Sequence, residues 1–168
     1  PLTKAEQDSH TKDRILVEST LLFAAKGYAD VSMKDIAQSV GLKPASLYNH
    51  FDCKEALWNA VLEHVQGLYM MYFSRLEAAV ASATSLEQVV NSMFIELRDV
   101  VDIFTYYGFS LVQTEQFRDA AAGKLYLDTF LAYSIGFIRE QFDSCIERGW
   151  AKPFDTGTVA TFFMHSVL

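Results

Sequence analysis

Between Ser32 and Leu57 the stretch SMKDIAQSVGLKPASLYNHFDCKEAL sets Lys34, Lys43 and Lys54 among the hydroxyls of Ser32, Ser46 and Tyr48, the amide of Asn49 and the imidazole of His50. Cations and hydroxyls hold phosphate oxygens, and an asparagine amide can pair with adenine N6 and N7. Catalysis has much thinner support. The four histidines, His10, His50, His64 and His165, are dispersed, and G-x-S-x-G, P-loop, dinucleotide-glycine and HExxH patterns are missing. Asp99/Asp102 and Glu140/Asp143 are carboxylate pairs at i,i+3, the spacing of solvated charge on a helix face. Cys53 and Cys145 show neither CxxC nor Cys/His ligand spacing, and His64 beside Glu63 has no further ligand nearby. No catalytic residue, metal or cofactor is therefore expected.

Short elements must position the polar edge. Apolar residues recur at three and four along almost the whole chain, with no strand-like alternation, which predicts an all-α fold. A first helix is expected from about Ser9 or Thr11 to Lys26, with Ile15, Leu16, Leu22 and Phe23 inward, Gly27 as its stop and Tyr28 folding back. Ser32 with Asp35 approximates a capping box for a second helix ending at Gly41. Pro44 opens a third, with Leu47, Tyr48 and Phe51 as inner contacts. Two such short helices cannot persist alone, so the first helix and a long one from Lys54 to about Val80 must cover Ile36, Ala37, Val40, Leu42 and Leu47. This is a helix-turn-helix, whose outer face stays free. Asp52 is the expected cap of the long helix, with Glu55 at its third position.

Composition bounds the rest. The 168 residues are 51% hydrophobic and 14% aromatic, enough for a sizeable core. The net charge of −7 argues against a uniformly cationic surface, but residues 1–60 are nearly balanced and most of the excess acid lies later, so a polyanion must meet the first third. No apolar run reaches the roughly 20 residues of a bilayer helix, and PLTKAEQDSHTKDR is too polar for a secretory signal, so a cytoplasmic location without membrane contact is expected.

The same residues resemble the tetracycline-repressor (TetR) family of bacterial transcriptional regulators. Phe23, Gly27 and Tyr28 end the first helix, Ile36-Ala37 and Gly41 mark the second, and Leu47-Tyr48-Asn49-His50-Phe51 with Lys54-Glu55-Ala56-Leu57 is similar to the family's LY-x-HF-xx-KE-x-L signature. The resemblance covers residues 11–65 closely. It implies phosphate contacts from Ser32, Tyr48, His50 and Lys54, and a major-groove set of Lys34, Lys43, Ala45 and Asn49, with Ser46 on the same edge. From the residues alone, Tyr48 can equally be core and His50 an interhelix hydrogen bonder. Lys43 and Ala45 stand where the family commonly has a serine cap and a glycine, and Asp52-Cys53 replaces a common Lys/Ser pair, so the base-reading set departs from the usual pattern.

The resemblance implies an N-terminal three-helix DNA-binding domain, residues 1–56, and a C-terminal helical ligand-binding and dimerisation domain, residues 57–168. Ser85 is the expected cap of a helix from Leu86; a turn-containing region, DIFTYYGFSLVQTEQFRD, then precedes a long helix from near Lys124 to Arg148. Aromatic residues crowd this half, suggesting an apolar pocket with a few polar groups. Met70, Phe73, Phe94, Phe104, Tyr107, Gln113, Phe117, Phe130 and Tyr133 are the candidate ligand contacts, with Thr114, Gln116 and Glu96 as further polar candidates. Met70 and Met71 are adjacent, so only one is expected to face inward. The last run, with Val159, Phe162, Phe163 and Val167, ends at Leu168 without a terminator and the first residue is not Met, from which a longer protein is expected. The expected function is a repressor that binds double-stranded operator DNA as a homodimer and responds to an apolar or aromatic small molecule. The alternative is a helical carrier whose helix-turn-helix no longer binds DNA.

Overall fold

The computed structural model describes the backbone of residues 4–100 and 103–167 and the side chains of residues 6–95 and 106–165. Among them the elements are helical and no strand occurs: α1 (Lys4–Lys26), α2 (Met33–Ser39), α3 (Pro44–Tyr48), α4 (Lys54–Ala81), α5 (Leu86–Val100), α6 (Ile103–Glu115), α7 (Ala120–Leu125), a π-helical segment (Tyr126–Tyr133), α8 (Ser134–Glu147) and α9 (Thr156–Val167).

Helix α1 starts earlier than its hydroxyl residues suggest. Thr11 does not cap it; its Oγ1 donates back to the Gln7 carbonyl at 2.8 Å, inside a run that opens on the good helix formers of KAEQ and lacks Gly or Pro. Its end is as expected. Gly27 takes φ +84° and donates its N–H to Phe23 O at 2.8 Å, closing the last turn in a conformation that costs an L side chain strain. Gly41, at φ +72°, does the same for α2, and Leu42 N–H reaches back to Ala37 O at 2.8 Å.

Two sequence expectations fail for identifiable reasons. Cys53, not Asp52, stands at the start of α4: Ala56 N–H donates to Cys53 Sγ at 3.4 Å, while Asp52 lies one residue too early. The stretch read as turn-containing is α6 followed by a turn at residues 116–118, and the helix expected from near Lys124 starts earlier. Gly108 of α6 marks close packing, since a Cβ there would come within 2.9 Å of Val65 Cγ2. After that turn Asp119 Oδ1 accepts Ala122 N–H at 2.8 Å, so α7 begins before Lys124. Ser85 does cap α5, accepting Gln88 N–H at 3.2 Å.

Packing makes two compact units, each with its own core. One comprises α1 to α3, α4 up to Leu68, α6 and the chain to Gly123; the other comprises α4 from Tyr69, α5, and the chain from Lys124. This division does not coincide with the expected boundary after residue 56, because α6 packs along α1. In the first unit Ile15, Phe23, Ile36, Ala37, Leu47, Leu57 and Val61 are buried. In the second, Phe73, Leu76, Met93, Ile138, Phe142 and Met164 form the core, with α8 against α9.

Gly27→Ala should lower stability by about 1–2 kcal/mol, the cost of forcing an L residue into the left-handed region. Gly67→Ala, in exposed α4 with open space beside it, should raise stability by about 1 kcal/mol. Urea denaturation of both variants checks the pair, and a loss at Gly67 would contradict this account of α4.

Candidate nucleic-acid interface

The polar edge is set by the ends of short helices. Ser32 is the N-cap of α2 in an extended conformation; Asp35 N–H donates to Ser32 Oγ at 3.2 Å, and Ser32 N–H donates to Asp35 Oδ2 at 2.9 Å. That is the full reciprocal capping box. The Ser32 hydroxyl and then its backbone N–H, both hydrogen-bonded to the Asp35 carboxylate, hold its pKa below the usual value, with Lys26 and Lys34 adding smaller pulls. Lys43 occupies the N-cap of α3 without a side-chain cap, Pro44 follows, and Asn49 is the C-cap.

Ser32, Lys34, Lys43, Ala45, Tyr48 and Asn49 are exposed, and Ser46, His50 and Lys54 are half-buried. Tyr48, expected as an inner contact, is 48% exposed, whereas Leu47 and Phe51 are buried. A five-residue helix has room for little more than one inward side chain, and Leu47 takes that place. Lys54 is the residue whose placement differs most from a free phosphate ligand. Its Nζ donates to Ala29 O at 3.2 Å and lies 4.3 Å from the Tyr28 ring centroid, so it ties α4 to the loop after α1.

Three supporting contacts have no local sequence signature. Arg14 Nη2 donates to Val40 O at 2.9 Å, satisfying the C-terminal end of α2 from α1. Lys12 Nζ lies 5.7 Å from the Phe51 ring centroid. Glu115, buried in α6, accepts Tyr28 N–H at 3.2 Å. These contacts join residues 26 to 87 positions apart or different helices, which periodicity and capping rules do not address.

In the second unit Tyr69 gathers part of the expected ligand set. Its ring lies 4.3 Å from Phe130 and 5.2 Å from Phe73, and Phe73 lies 5.1 Å from Tyr133. The Tyr69 and Ser134 hydroxyls meet at 3.0 Å, where the π-helical segment passes into α8. Burial pushes the Tyr69 pKa up to about 12, with the Ser134 hydrogen bond opposing and Tyr126 adding to the rise. A small apolar space of about 30 Å³ adjoins Tyr69, Tyr72, Phe73, Leu76 and Met93. Elsewhere in this unit Glu77, Gln141, Ser144, Arg148 and Trp150 border a more polar crevice of about 200 Å³. Met70 is half-buried and Met71 exposed, as their adjacency requires; Phe94 is half exposed. Tyr107, Gln113 and Phe117 belong to the other unit, and Phe117 is 88% exposed in the turn after α6. The side chains of Phe104 and Glu96 lie outside the described residues.

Residues 15–61 match the family model for bacterial regulatory proteins of the tetR family. The biofilm operon icaADBC HTH-type negative transcriptional regulator IcaR of Staphylococcus epidermidis is 36% identical over 64 residues, 38% of this chain and 35% of that protein. The chain spans about a third of the length of the curated relatives it matches. Among solved structures, the ketosteroid transcriptional regulator KstR2 of Mycobacterium tuberculosis superposes with a TM-score of 0.71 at 21% identity, over 93% of this chain and 81% of that one. A transcriptional regulator from Saccharomonospora viridis, solved in complex with choline, gives 0.73 at 21% identity, over 95% and 82%. Both likenesses concern the fold. Among the described residues, no helix is long and apolar enough to cross a membrane.

Because the folded Asp35 pKa is depressed, its contribution to stability is present above the unfolded pKa and is lost as pH falls through the folded one. NMR titration should place the Asp35 midpoint below the ordinary carboxylate value, and Ser32→Ala should return it upward. An unmoved midpoint in Ser32→Ala would contradict the assigned cause.

Proposed function

We propose that this chain is the DNA-binding and sensing part of a repressor that holds a near-palindromic operator as a homodimer and releases it when a mainly apolar small molecule binds. The observation that carries this reading is the helix-turn-helix itself: the inner residues of α2 and α3 are buried, while Lys34, Lys43, Ala45 and Asn49 remain exposed beside Ser32 and Tyr48. Lys34 and Lys43 offer point charges for guanine O6/N7 or phosphate, Asn49 an adenine partner and Ala45 a methyl for thymine. Ser32, Tyr48, His50 and Ser46 are the phosphate-side set, and Lys54 joins it only through the part of its ammonium not engaged by Ala29. Residues 1–56 carry the recognition role and residues 57–168 the sensing and pairing roles, whatever the packing boundary between them.

Repression is favoured by the name of IcaR, a negative regulator. Two recognition helices on one duplex face require two copies, and Phe162, 72% exposed on α9, with Val159 beside it, offers apolar surface for pairing. An apolar effector is favoured by the rings of Phe73, Phe130 and Tyr133 around Tyr69 and by the neighbour whose name couples it to ketosteroids. The choline complex supports a small-molecule site in this fold. Helix α4 is continuous from Lys54 to Ala81 and contributes to both packing units, which supports it as the element that an effector biases.

Lys34→Ala should weaken binding to a selected duplex and reduce the slope of log K against log salt by about one unit. Asn49→Ala should relax preference at one base pair by about 1–3 kcal/mol. Lys152→Ala, in the exposed link before α9, should change neither. Fluorescence anisotropy titrations check the set; equal losses from Lys34→Ala and Lys152→Ala would contradict the interface.

Compounds that release the duplex should lose potency with Tyr133→Ala and keep it with Arg148→Ala. The opposite pattern would move the effector to the polar crevice and contradict its apolar character.

A further inference from the structure

Glu115 is a carboxylate at 4% exposure, a position that an ionisable group holds only with specific partners. It accepts the backbone N–H of Tyr28 at 3.2 Å, and Arg118 Nη1 lies 3.8 Å away with a side chain 71% exposed. A Cβ at Gly27 would meet Glu115 Oε1 at 3.5 Å, an ordinary contact, so it is the positive φ and not the carboxylate that favours glycine there. The ring of Tyr28 is fixed independently, 5.5 Å from Phe23 and 4.8 Å from Trp58, with Lys54 Nζ above it and bonded to Ala29 O. The short loop leading to the Ser32 N-cap is thus gripped by its backbone from α6 and by its ring from α1 and α4. At the other end of the same residue, the Glu115 carbonyl accepts Arg118 and Asp119 N–H, both at 2.9 Å, closing the turn after α6.

We infer that Glu115 is a positioning residue that couples the C-terminal turn of α6 to the start of the recognition unit through the Tyr28 N–H. This rests on the DNA-binding reading above. One side chain links the two segments: its carboxylate holds the loop four residues before Ser32, and its backbone carbonyl holds the turn at residues 118–119. Order imposed on α2 by DNA is felt at that turn, and a displacement of the turn is felt at the loop.

Amide hydrogen exchange of the full chain, free and with a duplex selected from a random pool by the wild-type protein, tests the coupling without any effector. In the free protein Glu115→Leu should speed Tyr28 exchange by about tenfold, and Glu115→Gln, which keeps an acceptor oxygen, should restore it. The duplex should slow the Arg118 and Asp119 amides of wild type and Glu115→Gln by about fivefold, the lower end of typical coupling between sites. In Glu115→Leu the duplex should slow the α2 amides alone. Glu115→Ala replaces this variant where leucine disturbs folding. A response at Arg118 and Asp119 that survives Glu115→Leu, or is missing in wild type while α2 responds, overturns the coupling. Unchanged Tyr28 exchange in Glu115→Leu overturns it without reference to DNA, whereas a wild-type protein that selects no duplex defeats the DNA-binding reading instead.

Discussion

Two helices of seven and five residues are too short to hold their own shape in water, and the rest of the first packing unit exists to hold it for them. Ile36, Ala37 and Leu47 have no exposed surface, and burial of each large aliphatic side chain contributes about 1.5–3 kcal/mol. The ends are held too: Ser32 and Asp35 close the start of α2, and Arg14 from α1 closes its finish at the Val40 carbonyl. Only with the inner faces so occupied do Lys34, Lys43 and Asn49 keep a fixed direction into solvent. A free lysine is a diffuse charge; one on a fixed helix is a placed contact.

Local rules made this part of the chain legible. The Ser32–Asp35 spacing, Gly27 and Gly41 at positive φ, and Pro44 at the start of α3 act within one or two helical turns, where sequence and geometry are nearly the same information. The helical repeat also located Ile15, Leu16 and Phe23 of α1 and Ile36 and Ala37 of α2 in the core, while Leu22 is only half-buried. The cap of α4 was off by one residue, because a cysteine sulfur is not the expected acceptor. Helix α6 was hidden for a different reason. Its aromatic and β-branched residues and Gly108 have modest helix propensity, and the glycine is explained only by Val65, a residue 43 positions earlier. Glu115, 87 positions from Tyr28, was invisible for the same reason. Of the nine ligand candidates, the aromatic ones that meet around Tyr69 come from α4 and the π-helical segment. Phe117 shows how far composition can mislead, since an aromatic in a crowded segment can still sit in an exposed turn.

The chain is acidic overall, so in the proposed role long-range attraction to a polyanion is weak and must come from the cations held on one edge. The Tyr69–Ser134 hydroxyl pair is the polar element at the centre of the ring cluster, and it lies where the helix shifts into π geometry, a local irregularity frequent at functional sites. Helix α4 runs unbroken from Lys54 to Ala81.

The most direct measurement is the affinity of the wild-type chain for its selected duplex across a range of salt concentrations. The account predicts saturable binding whose log K falls linearly with log salt, by about 0.9 for each phosphate neutralised and several units in total for a paired interface. Saturable binding that ignores salt, or no binding at about 50 mM salt where phosphate contacts are strong, would contradict it.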